Sequence, residues 1–464
     1  MNLPPSFVEN MQELLGDDWD AFENALIQPS PVSVRLNPHK MNAKQLNTTV
    51  TQPVGWSQWG HYLQERPSFT FDPLFQAGVY YVQEASSMFI EQAFHQWVDG
   101  AVSVLDLCAA PGGKSTHIAS LITPDSVLVS NEVIASRANI LLDNVMKSGF
   151  ENVVVTNSDP SSFGRLDGLF DVVVVDAPCS GEGMFRKDEA SIEEWSLANV
   201  QLCSERQRRI LSDVWPSLKE DGMLIYSTCT YNVKEDEENV RWIMESLGAE
   251  IVELEILPEW QITSSLDKNN SNLPVFRFLP HRTSGEGFFM AILRKRSAAN
   301  EPDKKKKDKK QRGKPVVVPP VLKQVLRKPE AYSFNEINGK WRAYPSHLFN
   351  FLDYLTGVRV LNAGVLLGEM KGKDFIPAHA LALSNQIDRA AFPSVDINLE
   401  TALAFLRKES FLLEDEPKGI LLLTYQNTPL GFVKNLGNRV NNLLPNEWRI
   451  RSVSTPPNRM LWLK

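Results

Sequence analysis

Cysteine is scarce in this chain. Only Cys108, Cys179, Cys203 and Cys229 occur in 464 residues, too few and too far apart for a disulfide framework or a paired zinc motif. Taken singly, each reads as a small buried hydrophobe. Long apolar runs are also missing: none approaches the roughly 18 residues of a membrane span. The N-terminus, MNLPPSFVENMQELL, lacks the basic start and apolar centre of a secretion signal. These absences lead to the expectation of a cytoplasmic protein with no membrane attachment and no metal.

An excess of positive charge is absent too. The net charge is -8, with 48 Lys+Arg against 56 Asp+Glu, which at first argues against a nucleic-acid binder. The distribution of that charge argues the other way. Residues 1–293 carry 19 basic and 40 acidic side chains, a balance of -21, and residues 294–464 carry 29 and 16, a balance of +13. Such asymmetry points to a polyanion held partly by the basic part. The plainer alternative is a solvated linker that skews the count.

What is present fits soluble globular domains: 43% hydrophobic and 22% charged residues, with length for two to four domains. Residues 1–95 mix two amphipathic helices, a short strand PVSVRLNP and a turn-strand-helix over FDPLFQAGVYYVQEASSMFIEQAF. Arg35 and Asn37 there are either surface decoration or part of an RNA-contacting extension. Residues 96–296 alternate strand and helix, the signature of a doubly wound α/β sheet. The strands are VSVLDL, SVLVSNE (126–132), NVVVTNSD (152–159), DVVVVDAP (171–178), GMLIYSTC (222–229) and GFFMAILRK (287–295). Residues 297–315 hold a basic tract with no core-forming residues and read as a linker. Residues 316–464 form a second globular region whose last piece is β-like, with a turn expected at Asn427-Thr428-Pro429.

The chemistry gathers at strand ends. After the first strand comes Cys108-Ala109-Ala110-Pro111-Gly112-Gly113-Lys114, then a helical period. Glycines there let the backbone approach a ligand, and free N–H groups at the helix start face it. The run is not G-x-G-x-x-G, so a dinucleotide is disfavoured. Lys114 opposes the helix dipole, an arrangement that a ligand carboxylate would compensate. Glu132 ends the second strand, where a carboxylate can take ribose hydroxyls, and Asp159 ends the third, placed for an adenine amino group. Either acid alone is more often a helix cap or surface group, and it is the two together, in register with the glycine loop, that favour the ligand role. With strand order 3-2-1-4-5, the glycine loop shares a crevice with the next two strand ends, DAPCSGEG (176–183) and YSTCT (226–230).

Two facing thiols and a carboxylate have a definite use. A thiolate adding to C6 of a pyrimidine makes C5 enamine-like and able to attack an electrophilic methyl group. A second group then removes the C5 proton, and an acid holds the N3/N4 edge of the base. The residues themselves leave open whether Cys179 or Cys229 attacks.

LDLCAAPGGKS, NE, NSD, DAPCSGEGMFRK and YSTCT together resemble the RNA 5-methylcytosine methyltransferases of the Nop2/Sun (Fmu-like) family, over about residues 80–295. GVYYVQEASS (78–87) and HRTSGEGFF (281–289) also fit that family's flanking motifs. PLGFVKNLGNRVNNLLPNEWRI near the end is similar to its bacterial ribosomal RNA enzymes, in which this piece belongs to a PUA-like RNA-binding domain. The resemblance implies a class I S-adenosyl-L-methionine methyltransferase: a Rossmann-like, mostly parallel seven-stranded sheet with an N-terminal α+β extension and a β-rich PUA-like C-terminal domain. It implies methyl transfer to C5 of cytosine in 16S ribosomal RNA, free or in the small subunit. Cofactor contacts are implied for Cys108, Ala109, Ala110, Pro111, Gly112, Gly113, Lys114, Glu132, Asp159 and Asp176. Only the resemblance makes Cys229 the nucleophile, Cys179 the residue assisting elimination, and Asp176 the group orienting the base.

Two rival readings stay open, a transfer RNA enzyme of the same chemistry and a non-catalytic ribosome-assembly factor. The second would need a damaged cofactor loop, and CAAPGGK, Glu132 and Asp159 are all present. Amine methylation is disfavoured, because the turn after the fourth strand is Asp-Ala-Pro-Cys rather than Asn/Asp-Pro-Pro-aromatic.

Overall fold

A computed structural model describes residues 1–41, 51–268, 271–296 and 317–452. The basic stretch read as a linker, 297–315, lies outside the described residues.

Helices α1 (Pro5–Leu15) and α2 (Trp19–Leu26) form where apolar residues recur three and four apart, and Gly16 ends α1 at φ 55°. Their Phe7, Met11, Trp19 and Phe22 pack on Phe185, Trp195 and Tyr231 beside the thiol-bearing turns. Strands β1 (Val32–Leu36), β2 (Thr51–Pro53), β3 (Gly60–Leu63) and β4 (Tyr80–Val82) make a small sheet of order β2-β3-β1-β4. Helix α3 (Pro73–Gln76) precedes β4, and α4 (Ile90–Trp97) leads into the core.

The core alternates as the hydrophobic pattern predicts. It runs β5 (Ser103–Asp106), α5 (Gly113–Leu121), β6 (Val127–Asn131), α6 (Ala135–Ser148), β7 (Val153–Thr156), α7 (Pro160–Phe163) and β8 (Phe170–Asp176). Then come α8 (Glu189–Glu194), α9 (Leu197–Val214), β9 (Leu218–Thr228), α10 (Glu237–Leu247), β10 (Ala249–Val252), β11 (Phe276–Phe278) and β12 (Phe288–Lys295). Strands β7-β6-β5-β8-β9 are parallel neighbours in that order, the 3-2-1-4-5 arrangement expected. Successive valines alternate between two apolar layers: Val172 and Val174 on one face, Val173 and Val175 on the other. A parallel sheet covered by helices on both faces requires this.

The C-terminal region comprises α11 (Pro320–Gln324), β13 (Tyr332–Ile337), β14 (Lys340–Pro345), α12 (Ser346–Phe351), β15 (Val360–Ala363), β16 (Val365–Lys371), β17 (Asp374–Pro377) and α13 (His379–Leu383). It continues with β18 (Ser394–Asp396), α14 (Leu399–Arg407), β19 (Gly419–Tyr425), β20 (Thr428–Asn435) and β21 (Val440–Asn442). Two four-stranded sheets result, β13-β14-β16-β17 and β18-β19-β20-β21. Strand β15 leaves them and pairs antiparallel with β7, Val360 opposite Thr156. Together with β11, which pairs with β12, it brings the central sheet to nine strands rather than seven. One apolar cluster joins Val34, Leu36 and Tyr80 of the N-terminal sheet to Leu403, Phe405 and Leu421 near the other end of the chain.

The expected turn at Asn427-Thr428-Pro429 is misplaced by one residue. Gln426 and Asn427 form the loop, both at positive φ (50° and 60°), while Thr428 already pairs with Tyr425. Positive φ at both central residues is the type I′ form of the two-residue hairpin. Pro429, lacking an N–H, sits opposite Thr424, where the register shifts.

Candidate active site

The site begins with what holds the glycine loop. Gly112 starts α5 at φ 111°, and a Cβ there would lie 3.3 Å from Leu141 of α6. Left-handed backbone pressed against a neighbouring helix leaves little room for any other residue. The first turn of α5 is gripped from the N-terminal sheet by Arg35. Its Nε donates to Gln83 Oε1 (2.8 Å) and its terminal nitrogen to Thr116 Oγ1 (2.7 Å). Arg35 is 3% exposed, so it is not surface decoration. Asn37 is buried as well, its Nδ2 donating to the carbonyls of Gly78 (3.1 Å) and Ser148 (2.9 Å). The surface reading of this pair is corrected for one reason: long-range burial, which local polarity does not reveal.

Around the loop stand acids. Asp106, which the sequence pattern did not single out, is fully buried at the end of β5. Its Oδ2 accepts from Ser115 Oγ (2.6 Å), and its Oδ1 has no hydrogen-bond partner among the described residues. Burial pushes its pKa up to about 7. The clue available in the sequence was a charged residue closing an apolar strand. Glu132 is buried, with Oε1 accepting the Ile134 N–H (2.9 Å) and Oε2 3.7 Å from Arg137 Nε. Arg137 in turn donates to the Ala110 carbonyl (2.9 Å), tying Glu132 to the loop. Asp159 is exposed and caps α7, its Oδ1 accepting from the N–H (3.0 Å) and hydroxyl (2.7 Å) of Ser161. Those bonds hold its pKa below the ordinary value. A further residue missed from sequence, Asn131, donates to the carbonyls of Leu107 (3.1 Å) and Ser158 (3.0 Å), joining the loops after β5 and β7.

Lys114 and Asp176 meet across the crevice, Nζ to Oδ2 at 2.9 Å, with the ammonium 5.0 Å from the centre of the Phe288 ring. Burial opposes the charge on Lys114, but Asp176 and Asp106 outweigh it and raise its pKa. The other oxygen of Asp176 accepts from Ser227 Oγ (2.7 Å).

The two thiols lie together. Cys179 Sγ is 3.1 Å from Cys229 Sγ, and the Cys229 N–H donates to Cys179 Sγ at 3.3 Å. The S–H···S contact with Cys229, then burial, then negative charge including that of Glu235, push the Cys179 thiol well above its ordinary pKa. The other two cysteines are separate: burial raises Cys108, and Cys203 is buried within α9. The flanking motifs also converge, Glu84 Oε1 accepting the Glu286 N–H (2.9 Å) and Ser86 Oγ donating to the Glu286 carbonyl (3.2 Å). Among the described residues no group of three or more His, Cys, Asp or Glu side chains could hold a metal ion, and no helix is long and apolar enough to cross a membrane.

Comparison with known proteins decides the family. The chain is 30% identical to ribosomal RNA small subunit methyltransferase F of Erwinia tasmaniensis over 96% of each chain. It belongs to that family. The protein of the same name from Photobacterium profundum is 29% identical, over 96% of this chain and 97% of its own. Residues 97–294 match the family model described as 16S rRNA methyltransferase RsmB/F. Residues 3–85 match the N-terminal domain of 16S rRNA methyltransferase RsmF, 337–384 its first C-terminal domain, and 392–450 its PUA domain. Among solved structures, a methyltransferase homolog protein from Pyrococcus horikoshii is 29% identical, with a TM-score of 0.53 over 63% of this chain and all of that one. NSun6 from the same organism, solved with SFG, is 20% identical with a TM-score of 0.55 over 63% of this chain and 98% of that one, a likeness of fold. The fold is thus a class I methyltransferase core with an N-terminal extension and a PUA-like end.

Proposed function

We propose that this enzyme transfers a methyl group from S-adenosyl-L-methionine to C5 of a cytosine in 16S ribosomal RNA through a covalent bond between Cys229 and C6, and that it does so in the cytoplasm. The observation that carries the reading is the pair of sulfurs at the ends of adjacent parallel strands, beside a carboxylate held by Lys114 and Ser227.

The residues present suit the cofactor. The buried Asp106 oxygen without a partner, the loop from Cys108 to Lys114, Glu132, Asp159 and Asp176 offer carboxylates and backbone groups for an amino acid, a ribose and an adenine. S-adenosyl-L-methionine supplies, when bound, an electrophilic methyl carbon on a positive sulfur.

The chain's own groups do the rest. The S–H···S contact with Cys229, then burial, make Cys179 hold its proton more tightly than a free thiol does. By the family resemblance Cys229 is the thiol whose sulfur bonds to C6, giving up its proton and moving the C5–C6 electron pair toward C5. Asp176, fixed on two sides, hydrogen-bonds the base while charge develops. Once Cys229 is bound to carbon, the anion that disfavoured a Cys179 thiolate is gone. Cys179 then gives its own proton to solvent and takes the C5 proton, whose bonding pair re-forms C5=C6 while the C6–S pair leaves on Cys229. The PUA-like end and the basic excess of residues 294–464 support a polyanionic substrate.

The test is bisulfite mapping of RNA from cells with and without this protein. Loss of one or more 5-methylcytosines from 16S ribosomal RNA is expected. Loss confined to transfer RNA would overturn the substrate assignment.

A further inference from the structure

One carboxylate outside the expected site holds both thiol-bearing turns. Glu235, between β9 and α10, is fully buried. Its Oε2 accepts the Ser180 N–H (3.0 Å) and Gln207 Nε2 (2.7 Å), and the Gln207 amide also donates to the Pro178 carbonyl (3.1 Å). The turn carrying Cys179 is thus pinned on each side of the thiol. Its Oε1 accepts from Asn232 Nδ2 (2.8 Å), which also donates to Thr230 Oγ1 (2.8 Å), next to Cys229. Thr230 Oγ1 and Ser180 Oγ close the ring at 3.0 Å.

The two thiols do not depend equally on this brace. Cys229 directly follows β9, a strand paired on both sides, and its carbonyl accepts the Gly183 N–H (2.9 Å). Cys179 stands three residues beyond the end of β8, where no sheet fixes it. Each group meeting the Glu235 carboxylate is a donor, so only an acceptor-only side chain satisfies them all. A glutamine would turn an N–H toward an N–H.

We propose that Glu235 is a positioning residue for the elimination half of the reaction, fixing the Cys179 sulfur against that of Cys229. The inference rests on the cysteine chemistry proposed above. Loss of Glu235 leaves Cys229 on its strand, able to attack, and lets the Cys179 turn drift.

The experiment follows the covalent enzyme–RNA species on denaturing gels, using 16S ribosomal RNA and S-adenosyl-L-methionine with wild type, Glu235→Gln, Cys179→Ser and the double variant. Glu235→Gln is expected to form the species at the wild-type rate and release it at least about tenfold more slowly, a difference of about 1.4 kcal/mol in barrier. Cofactor affinity by calorimetry should be unchanged, and the double variant should release no more slowly than Cys179→Ser alone. Should Glu235→Gln fail to fold, Asn232→Ala, which loosens one side of the brace, is expected to show the same selective slowing. Wild-type release from the folded variant, additive slowing in the double variant, or equal loss of attack and release would each overturn the positioning role. If Cys179→Ser itself traps no RNA, the cysteine chemistry falls and this role with it.

Discussion

Lys114 Nζ stands 2.9 Å from Asp176 Oδ2, joining the first turn of α5 to the end of β8. A lysine in the first turn of a helix is unfavourable to the macrodipole, and this partner across the crevice offsets it. The contact also keeps the Asp176 carboxylate aimed beside the thiols while Ser227 holds its other oxygen.

Lys114→Met should therefore free Asp176 without disturbing the sheet. We expect cofactor affinity and methyl transfer to fall by about 10- to 100-fold, the loss of one charge-assisted hydrogen bond. The unfolding midpoint should stay near that of wild type. Calorimetric titration with S-adenosyl-L-methionine and a methylation assay check this, and unchanged affinity and rate would separate the pair from the site.

Arg35 supports the helix that follows the glycine loop. Burial lowers its pKa to about 10, still charged at neutral pH, and its hydrogen bonds reach Gln83 and Thr116. Replacing it with Met leaves those acceptors unsatisfied inside the protein. A stability loss of about 2–4 kcal/mol is expected, read as a lower denaturant midpoint. RNA affinity of the folded fraction should not change, since Arg35 faces α5 rather than solvent.

His379 makes stability pH-dependent. It is 5% exposed, stacked edge-on against Trp448 with ring centroids 4.8 Å apart, and its Nδ1 has no hydrogen-bond partner among the described residues. Burial, with Lys147 and Lys40 nearby, lowers its pKa from 6.5 to about 3. Between those values the unfolded chain binds a proton that the folded chain refuses. Stability is thus lost as pH falls from 6.5 toward 3 and restored above 6.5. Between pH 7 and pH 5, wild type should lose about 2 kcal/mol more than His379→Gln. Equal losses in denaturant unfolding would contradict this.

Residues 316–464 read in the sequence as a second globular region beyond a linker, whereas β15 covers the edge of β7 and residues 403–421 share a core with Val34 and Leu36. Truncation after residue 296 should lower the melting temperature of what remains, besides weakening RNA binding. A truncated protein that melts like the full chain would contradict the shared core.

Legibility followed the range of the interactions. The glycine turn, the strand order and both cysteine turns were readable because local pattern and topology rules place them: VSVLDL and DVVVVDAP each carry their own signal. Asp159 shows the limit of local reading, since the same Asp-Pro step that marks a strand end also caps α7. Arg35, Asn37 and Glu235 were invisible as structural parts, because what defines each is a partner 28 to 111 residues away. The nine-strand sheet escaped for the same reason: β15 is more than 200 residues from β7. Which thiol attacks was undecidable from DAPCS and YSTCT alone. The assignment of attack to Cys229 comes from the family resemblance rather than from those two turns.

The most direct measurement is to incubate Cys179→Ser and Cys229→Ser separately with 16S ribosomal RNA and S-adenosyl-L-methionine, then look for a protein–RNA species that survives denaturation. A stable adduct with Cys179→Ser and none with Cys229→Ser is the predicted result. An adduct with Cys229→Ser and none with Cys179→Ser would exchange the roles of the two sulfurs 3.1 Å apart, and no adduct from either would remove covalent catalysis.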